Sequence, residues 1–179
     1  METEIGNQQA SSTEVAWMAG MLEGDGHITM RFNRVGKAAK KAYILTAVEF
    51  VNTDKAIIEE VVRVCKMLGV NMYVKCSKQG SHGKRMALWR CSTHRMKSAK
   101  PLLEAMYPYL VGEKKQRAEY MLQFIASRAK TLQTQHHPGW NNPVPYTDEQ
   151  IDLVVACKHL VTPWKASETI RSELLATQL

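Results

Sequence analysis

The chain has 179 residues, 45% hydrophobic and 23% charged. That is enough to bury a core without disulfide staples and too apolar for wholesale disorder. No apolar run reaches the about 18 to 20 residues that a membrane span needs. The polar start Met1–Ser12 carries Glu2 and Glu4 but no Lys or Arg, so it reads as a flexible N-terminus rather than a signal or transit peptide. Cys65, Cys76, Cys91 and Cys157 form no CxxC pair, which suits a reducing compartment and buried thiols. The net charge of +7 is unevenly spread: Arg31–Lys100 holds 16 Lys/Arg against 4 Asp/Glu, and the remainder 8 against 13. A local +12 beside −5 elsewhere points to a polyanion partner, most simply nucleic acid.

Residues 13–23 predict a helix, capped by Ser11, Ser12 or Thr13 and stopped by the turn Gly24-Asp25-Gly26. His27–Asn33 alternates, with Ile28, Met30 and Phe32 on one face and Thr29, Arg31 and Asn33 on the other, as a half-buried strand does. A basic connection over residues 34–41 leads to a second strand, Tyr43–Val51. Asn52-Thr53-Asp54 then caps a helix with Ile57, Val61, Val64 and Leu68 on its apolar face, ended by Gly69. Met72–Ser77 and Arg85–Ser92 are two further strands. Helices follow over Ser98–Met106 and from about Glu113 to Lys130. A loop over Thr131–Tyr146 holds three of the six prolines, and two short helices, Asp148–Leu160 and Ser167–Leu175, close the chain. The fold class is α+β: an α-β-β-α-β-β-α core with one antiparallel four-stranded sheet, plus C-terminal helices, as a single domain over residues 13–179. The basic segment coincides with the strands.

Ala16, Gly20 and Gly24 recur every four residues and so share one helical face, which admits unusually close approach of another helix. Glycine inside a helix costs roughly 0.5–1 kcal/mol relative to alanine, and close helix–helix contact offsets that cost. Glu23 and Asp25 lie at the negative end of the helix dipole, where carboxylates are disfavoured. A divalent cation there reverses the sign, because carboxylate and carbonyl oxygens are its preferred ligands.

Met18-Ala19-Gly20-Met21-Leu22-Glu23-Gly24-Asp25-Gly26 resembles the LAGLIDADG motif of homing endonucleases, with four of its nine positions identical and a strand following. Phe50-Val51-Asn52-Thr53-Asp54, Pro108-Tyr109-Leu110 with Lys114-Lys115-Gln116-Arg117-Ala118, and Ser167-Glu168-Thr169-Ile170-Arg171 extend the likeness over about residues 13–175, the last being similar to the tail of the chloroplast-intron branch. One motif copy implies a homodimer joined through the motif helices at Ala16, Gly20 and Gly24. The resemblance implies a site-specific DNA endonuclease serving intron mobility, with Asp25 and the Gly24 carbonyl binding magnesium. It further implies that Asn52 positions water, and that Lys114, with Lys115 as the alternative, stands near the scissile phosphate. It implies a gene carried by an organelle or a prokaryote. An RNA maturase acting on its host intron and a non-catalytic DNA-binding module are the alternatives.

Asn52 reads equally as a helix N-cap. His136-His137 reads as loop histidines, and His27, Cys76, His82, Cys91 and His94 fit no common zinc spacing. Strand parity turns Thr29, Arg31 and Asn33 outward, then Tyr43, Leu45, Ala47 and Glu49, then Lys75 and Ser77, and finally Arg90 with Arg85 or Met86. Such a ribbon suits a major groove, where Arg reads guanine and Glu accepts from cytosine. Leu45 and Ala47 suit thymine methyls. Lys37, Lys40, Lys41 and Lys165 suit phosphates, which position without specifying sequence.

Overall fold

A computed structural model describes residues 9–34, 42–79, 86–134, 144–163 and 167–175. The elements run α1 Ser12–Asp25, β1 His27–Arg34, β2 Ala42–Asn52, α2 Lys55–Met67, β3 Tyr73–Gln79, β4 Met86–Thr93, α3 Met96–Met106, a 3-10 turn Tyr107–Tyr109, α4 Gly112–Thr134, α5 Asp148–Val161 and α6 Ser167–Leu175. The expected α+β order and four-stranded antiparallel sheet are present, in strand order β1-β2-β4-β3. Among the described residues no helix is long and apolar enough to cross a membrane. The chain forms two compact units, one of residues up to His27 with Ala47–Leu110, the other of Ile28–Thr46 with Val111–Leu179.

In the first unit, α1 starts with a reciprocal cap. Ser11 Oγ accepts from the Glu14 amide at 3.2 Å, and Glu14 Oε2 accepts from the Ser11 amide at 2.8 Å, which satisfies two of the orphan donors at a helix start. The helix does not stop at Gly24 as the glycine pair suggests. It runs on through Asp25, and Gly26 alone ends it, with its N–H donating to the Leu22 carbonyl at 3.1 Å. A Cβ on Gly26 would lie 2.7 Å from Leu22 Cα and 2.9 Å from Leu22 O, so only glycine fits.

α2 is capped by Asp54, whose Oδ1 accepts from the Ala56 amide at 2.8 Å. Its buried stripe is Ile58, Val61, Val64 and Cys65, one position round from the expected Ile57 and Leu68, which flank it half-buried. Gly69 ends it at φ +72, a left-handed conformation that other residues adopt at a cost. These helices and α3 cover one face of β2 and β4, burying Val48, Phe50 and Cys91 with Val15, Met18, Leu22, Leu102, Leu103 and Met106. α3 begins at Met96, two residues earlier than expected, and holds Pro101.

The second unit is built on α4, which extends to Thr134 and shortens the expected loop. Met121, Phe124 and Ile125 of α4 are buried, as are Ile151 and Val154 of α5 and Ile28, Met30 and Ile44 of the strands. Arg128 pins the segment before α5. It donates to the Val144 carbonyl at 2.6 Å and the Pro145 carbonyl at 2.8 Å, and stacks 4.2 Å from the Tyr146 ring centroid. The Tyr146 hydroxyl in turn accepts from the Ile44 amide at 2.8 Å, joining the segment to β2.

Candidate nucleic-acid interface and metal-binding helix end

The motif helix is apolar all round. Val15, Met18, Ala19 and Leu22 are buried against its own unit, while Trp17, Gly20 and Gly24 lie exposed on the other arc, with Ala16 half-buried among them. A helix of that kind is ordinarily buried on every side. Among the described residues, a Cβ added at Gly20 or Gly24 meets nothing within 4 Å, so the close helix contact expected at this face is not seen there.

Asp25 is the last residue of α1 and is exposed, with Glu23 half-buried just before it and no basic residue in the last turn. The helix therefore presents carboxylate and carbonyl oxygen at its negative end, the donor chemistry of a hard cation. Among the described residues no three His, Cys, Asp or Glu side chains converge.

Asn52 ends β2 half-buried. It is not the cap of α2; that role belongs to Asp54. Its Oδ1 instead accepts from the Asp54 amide at 2.8 Å, closing a turn that fixes the side chain ahead of the helix. Lys114 and Lys115 are both half-buried in the first turn of α4. Arg117, one turn on, is buried and ion-paired to Glu113, and desolvation pushes its guanidinium below the ordinary arginine range. Nothing in the sequence pattern marked that residue as buried.

The expected strand parity holds for the described side chains of β1 and the start of β2. It does not hold along β3, where Val74 and Cys76 are exposed beside Tyr73 and Lys75, nor at Ser92 of β4, which is buried. In the second unit Ile28, Met30, Ile44 and Thr46 are buried, whereas Arg31 and Tyr43 are exposed and Thr29 and Leu45 half-buried. The Asn33 side chain lies outside the described residues, as do Lys37, Lys40, Lys41, Arg85, Lys165, His82, His136 and His137.

In the first unit β4 pairs with both neighbours, placing Val51, Arg90 and Lys75 in one row and Glu49, Ser92 and Tyr73 in the next. Leu88 pairs with Ser77, and Met86 with Gln79. Met86, 64% exposed, therefore continues the face that carries Arg90. Tyr73, 66% exposed, shares the parity of Lys75 and Ser77 and belongs to it as well. One expectation needs correction: Ala47 has the outward parity but is 6% exposed. It is not available to a thymine methyl.

All four cysteines are free. Burial pushes the thiols of Cys65 and Cys91 up to about 12 and that of Cys157 up to about 11, which leaves them as packing groups. Cys76 is exposed, against the expectation of buried thiols.

No protein-family model matches the sequence, and no curated protein matches it. Solved structures do. The homing endonuclease I-CvuI, in complex with its target in the presence of calcium, superposes with a TM-score of 0.58 at 17% identity, covering 93% of this chain and 95% of that one. The archaeal intron-encoded homing endonuclease I-Vdi141I, complexed with DNA, gives 0.59 at 8% identity over 92% and 96%. The LAGLIDADG homing endonuclease I-SmaMI, bound to cleaved DNA, gives 0.54 at 11% identity over 84% of this chain but only 44% of its own. With its glycine-rich motif forming the open-faced α1 and its four strands in the order β1-β2-β4-β3, the chain has the LAGLIDADG homing endonuclease fold.

Proposed function

We propose that this protein is a site-specific DNA endonuclease that works as a homodimer and needs a divalent ion, magnesium being the expected one. It would cut both strands of a long, partly two-fold-symmetric duplex in the service of intron homing. The observation that carries this reading is Asp25, exposed at the negative end of a helix on whose outer arc a Cβ added at Gly20 or Gly24 meets no described residue within 4 Å. Two such helices packed face to face would bring two Asp25 carboxylates together, and each with its Gly24 carbonyl would supply half of a ligand set. The fold neighbours support the same count. A chain that matches nearly all of I-CvuI matches less than half of I-SmaMI, which is long enough to hold two such units.

A divalent ion at this helix end would stabilise the phosphoryl oxygens as a Lewis acid and make water acidic enough to attack at neutral pH. The residues divide the remaining work. Asn52, held by its turn to Asp54, orients water through its amide. Lys114, with Lys115 as the alternative, supplies positive charge for the scissile phosphate. Thr29, Arg31, Tyr43, Glu49, Lys75, Ser77 and Arg90 face the bases and sugar–phosphate edges, whereas Asn33, Lys37, Lys41, Arg85 and Lys165 are assigned to DNA from the sequence pattern alone.

The test separates binding from chemistry. Asp25→Asn keeps size and removes the charge on which metal-assisted hydrolysis depends. DNA affinity rests mainly on phosphate contacts by the basic segment. Asp25→Asn is expected to bind target duplex within about two- to threefold of the parent and to cut neither strand in magnesium, while Glu23→Gln retains cleavage. Parental cutting by Asp25→Asn overturns the assignment, and so does a dead Glu23→Gln.

A further inference from the structure

The outward face of β2 and β4 in the first unit carries one opposite-charge pair. Glu49 and Arg90 are diagonal neighbours: the register sets Glu49 opposite Ser92 and Val51 opposite Arg90. Diagonal positions on one sheet face lie within reach of long side chains, and Arg90 Nη1 stands 3.5 Å from Glu49 Oε1. Three neighbours bias this geometry. Lys75 is paired opposite Arg90 on its other side, so like-charge repulsion turns the guanidinium toward Glu49. Ser92, directly across from Glu49, is buried and its Oγ lies 3.1 Å from His94 Nε2, so it does not compete for the Glu49 carboxylate. Val51 brings no polar atom to the row.

The contact engages one of the five N–H donors of the guanidinium, at the long end of hydrogen-bond range. The side chains remain 37% and 23% exposed. Arg90 therefore still offers a fork of donors to solvent, with a carboxylate acceptor fixed beside it. That order, donor, donor, acceptor, is complementary to one edge in the major groove: guanine N7 and O6 accept, and N4 of the paired cytosine donates. A phosphate suits it less well, because the Glu49 carboxylate beside the arginine repels a second anion.

We propose that Glu49 and Arg90 act as a single unit that reads one G·C base pair in each half-site, Arg90 donating to the guanine and Glu49 accepting from its cytosine while holding the guanidinium in place. The proposal rests on the reading of this face as a binder of duplex DNA and names what it recognises there.

Selection from a pool of randomised duplexes with the full-length protein tests it. The parent is expected to select G·C at one position per half-site over the other pairs by roughly 10- to 100-fold, the range of a good bidentate contact. Arg90→Gln is expected to shift that position toward A·T, since Gln suits adenine N6 and N7, and Glu49→Gln to relax the same position. The double variant is expected to lose no more selectivity than Arg90→Gln alone. Changes at two different base pairs, or additive losses, overturn the paired reading. So does a uniform fall in affinity by Arg90→Gln with a salt slope reduced by about one, the mark of a phosphate contact. A parent that binds no duplex fails the nuclease reading itself, an outcome distinct from all of these.

Discussion

At the scale of single residues, Gly26 shows how tightly the end of the motif helix is specified. Its φ of −88 is open to any residue, so space and not backbone freedom demands glycine. A Cβ would sit 2.4 Å from the Leu22 Cδ1, which can move, but also 2.7 Å from Leu22 Cα and 2.9 Å from its carbonyl, which cannot. Gly26→Ala must push β1 away from the end of α1 or unwind the last turn, and Asp25 lies in that turn. Overpacking of this kind costs typically about 1–3 kcal/mol. A lowered urea midpoint of that size is expected, together with a larger loss of cleavage than of DNA binding. Gly20→Ala, where a Cβ meets nothing, is the control that leaves the midpoint unchanged or raised.

At the scale of elements, α1 and α2 are tied by charge as well as by packing. Arg63 of α2 pairs with Glu14 of α1 and with Glu60, and Glu14 also closes the cap on Ser11. The Arg63 hydrogen bond leads the causes that hold the Glu14 carboxyl down at about 2, against an ordinary 4.5, and the Ser11 bonds add to it. A depressed folded value means that Glu14 contributes its full stability above about pH 4.5 and loses it as pH falls through about 2. Arg63 stays charged throughout, and Glu60, also held down by Arg63, loses its share in the same direction. The melting temperature of the parent is therefore expected to exceed that of Glu14→Gln at pH 6, with the gap closing toward pH 2. A gap that widens in acid refutes the tie. The pair is exposed, so 1 M salt should narrow the gap at pH 6 as well.

For the molecule as a whole, the open face of α1 decides how many chains act together. Trp17, Gly20 and Gly24 are exposed on α1, and among the described residues a Cβ at either glycine meets nothing within 4 Å. Gly20→Leu therefore meets no described residue of its own chain, so the variant is expected to fold, without the stability that the dimer adds to the parent. It cannot pack against a second copy at close range, because a branched side chain holds the helix axes apart. Sedimentation is expected to give a dimer for the parent and a monomer for Gly20→Leu, and cleavage is expected to vanish with the dimer. A parent that stays monomeric with and without DNA ends the homodimer reading, and a cleaving Gly20→Leu monomer does the same.

Much of this protein is legible along the chain because its determinants are local. The capping box, the four-residue spacing of small residues in α1, the alternation of β1 and β2 and the glycine at 69 act within a few residues, and they place the elements and Asp25 without reference to the rest of the molecule. Where the chain reading missed, a distant partner was deciding. The glycine pair marked a turn at Gly24, yet α1 continues because apolar burial of Leu22 and the cap at Gly26 carry the helix through Asp25. The stripe of α2 takes in Ile58 and Cys65 because its packing on β4 and α1 selects which arc is covered. Ala47 has the outward parity and yet is buried, since parity assigns a face and not exposure. The rows joining Val51, Arg90 and Lys75, and the meeting of Glu49 with Arg90, depend on how β2 and β3 register on β4. Register is a pairing between segments, some 40 residues apart for β2 and β4 and some 15 for β3 and β4, set by burial on the opposite face. The sequence by itself determined which chemistry is present; only the tertiary structure decided which side chains meet, because a hydrogen-bonded ladder and a packed core are properties of pairs of segments and not of either one alone.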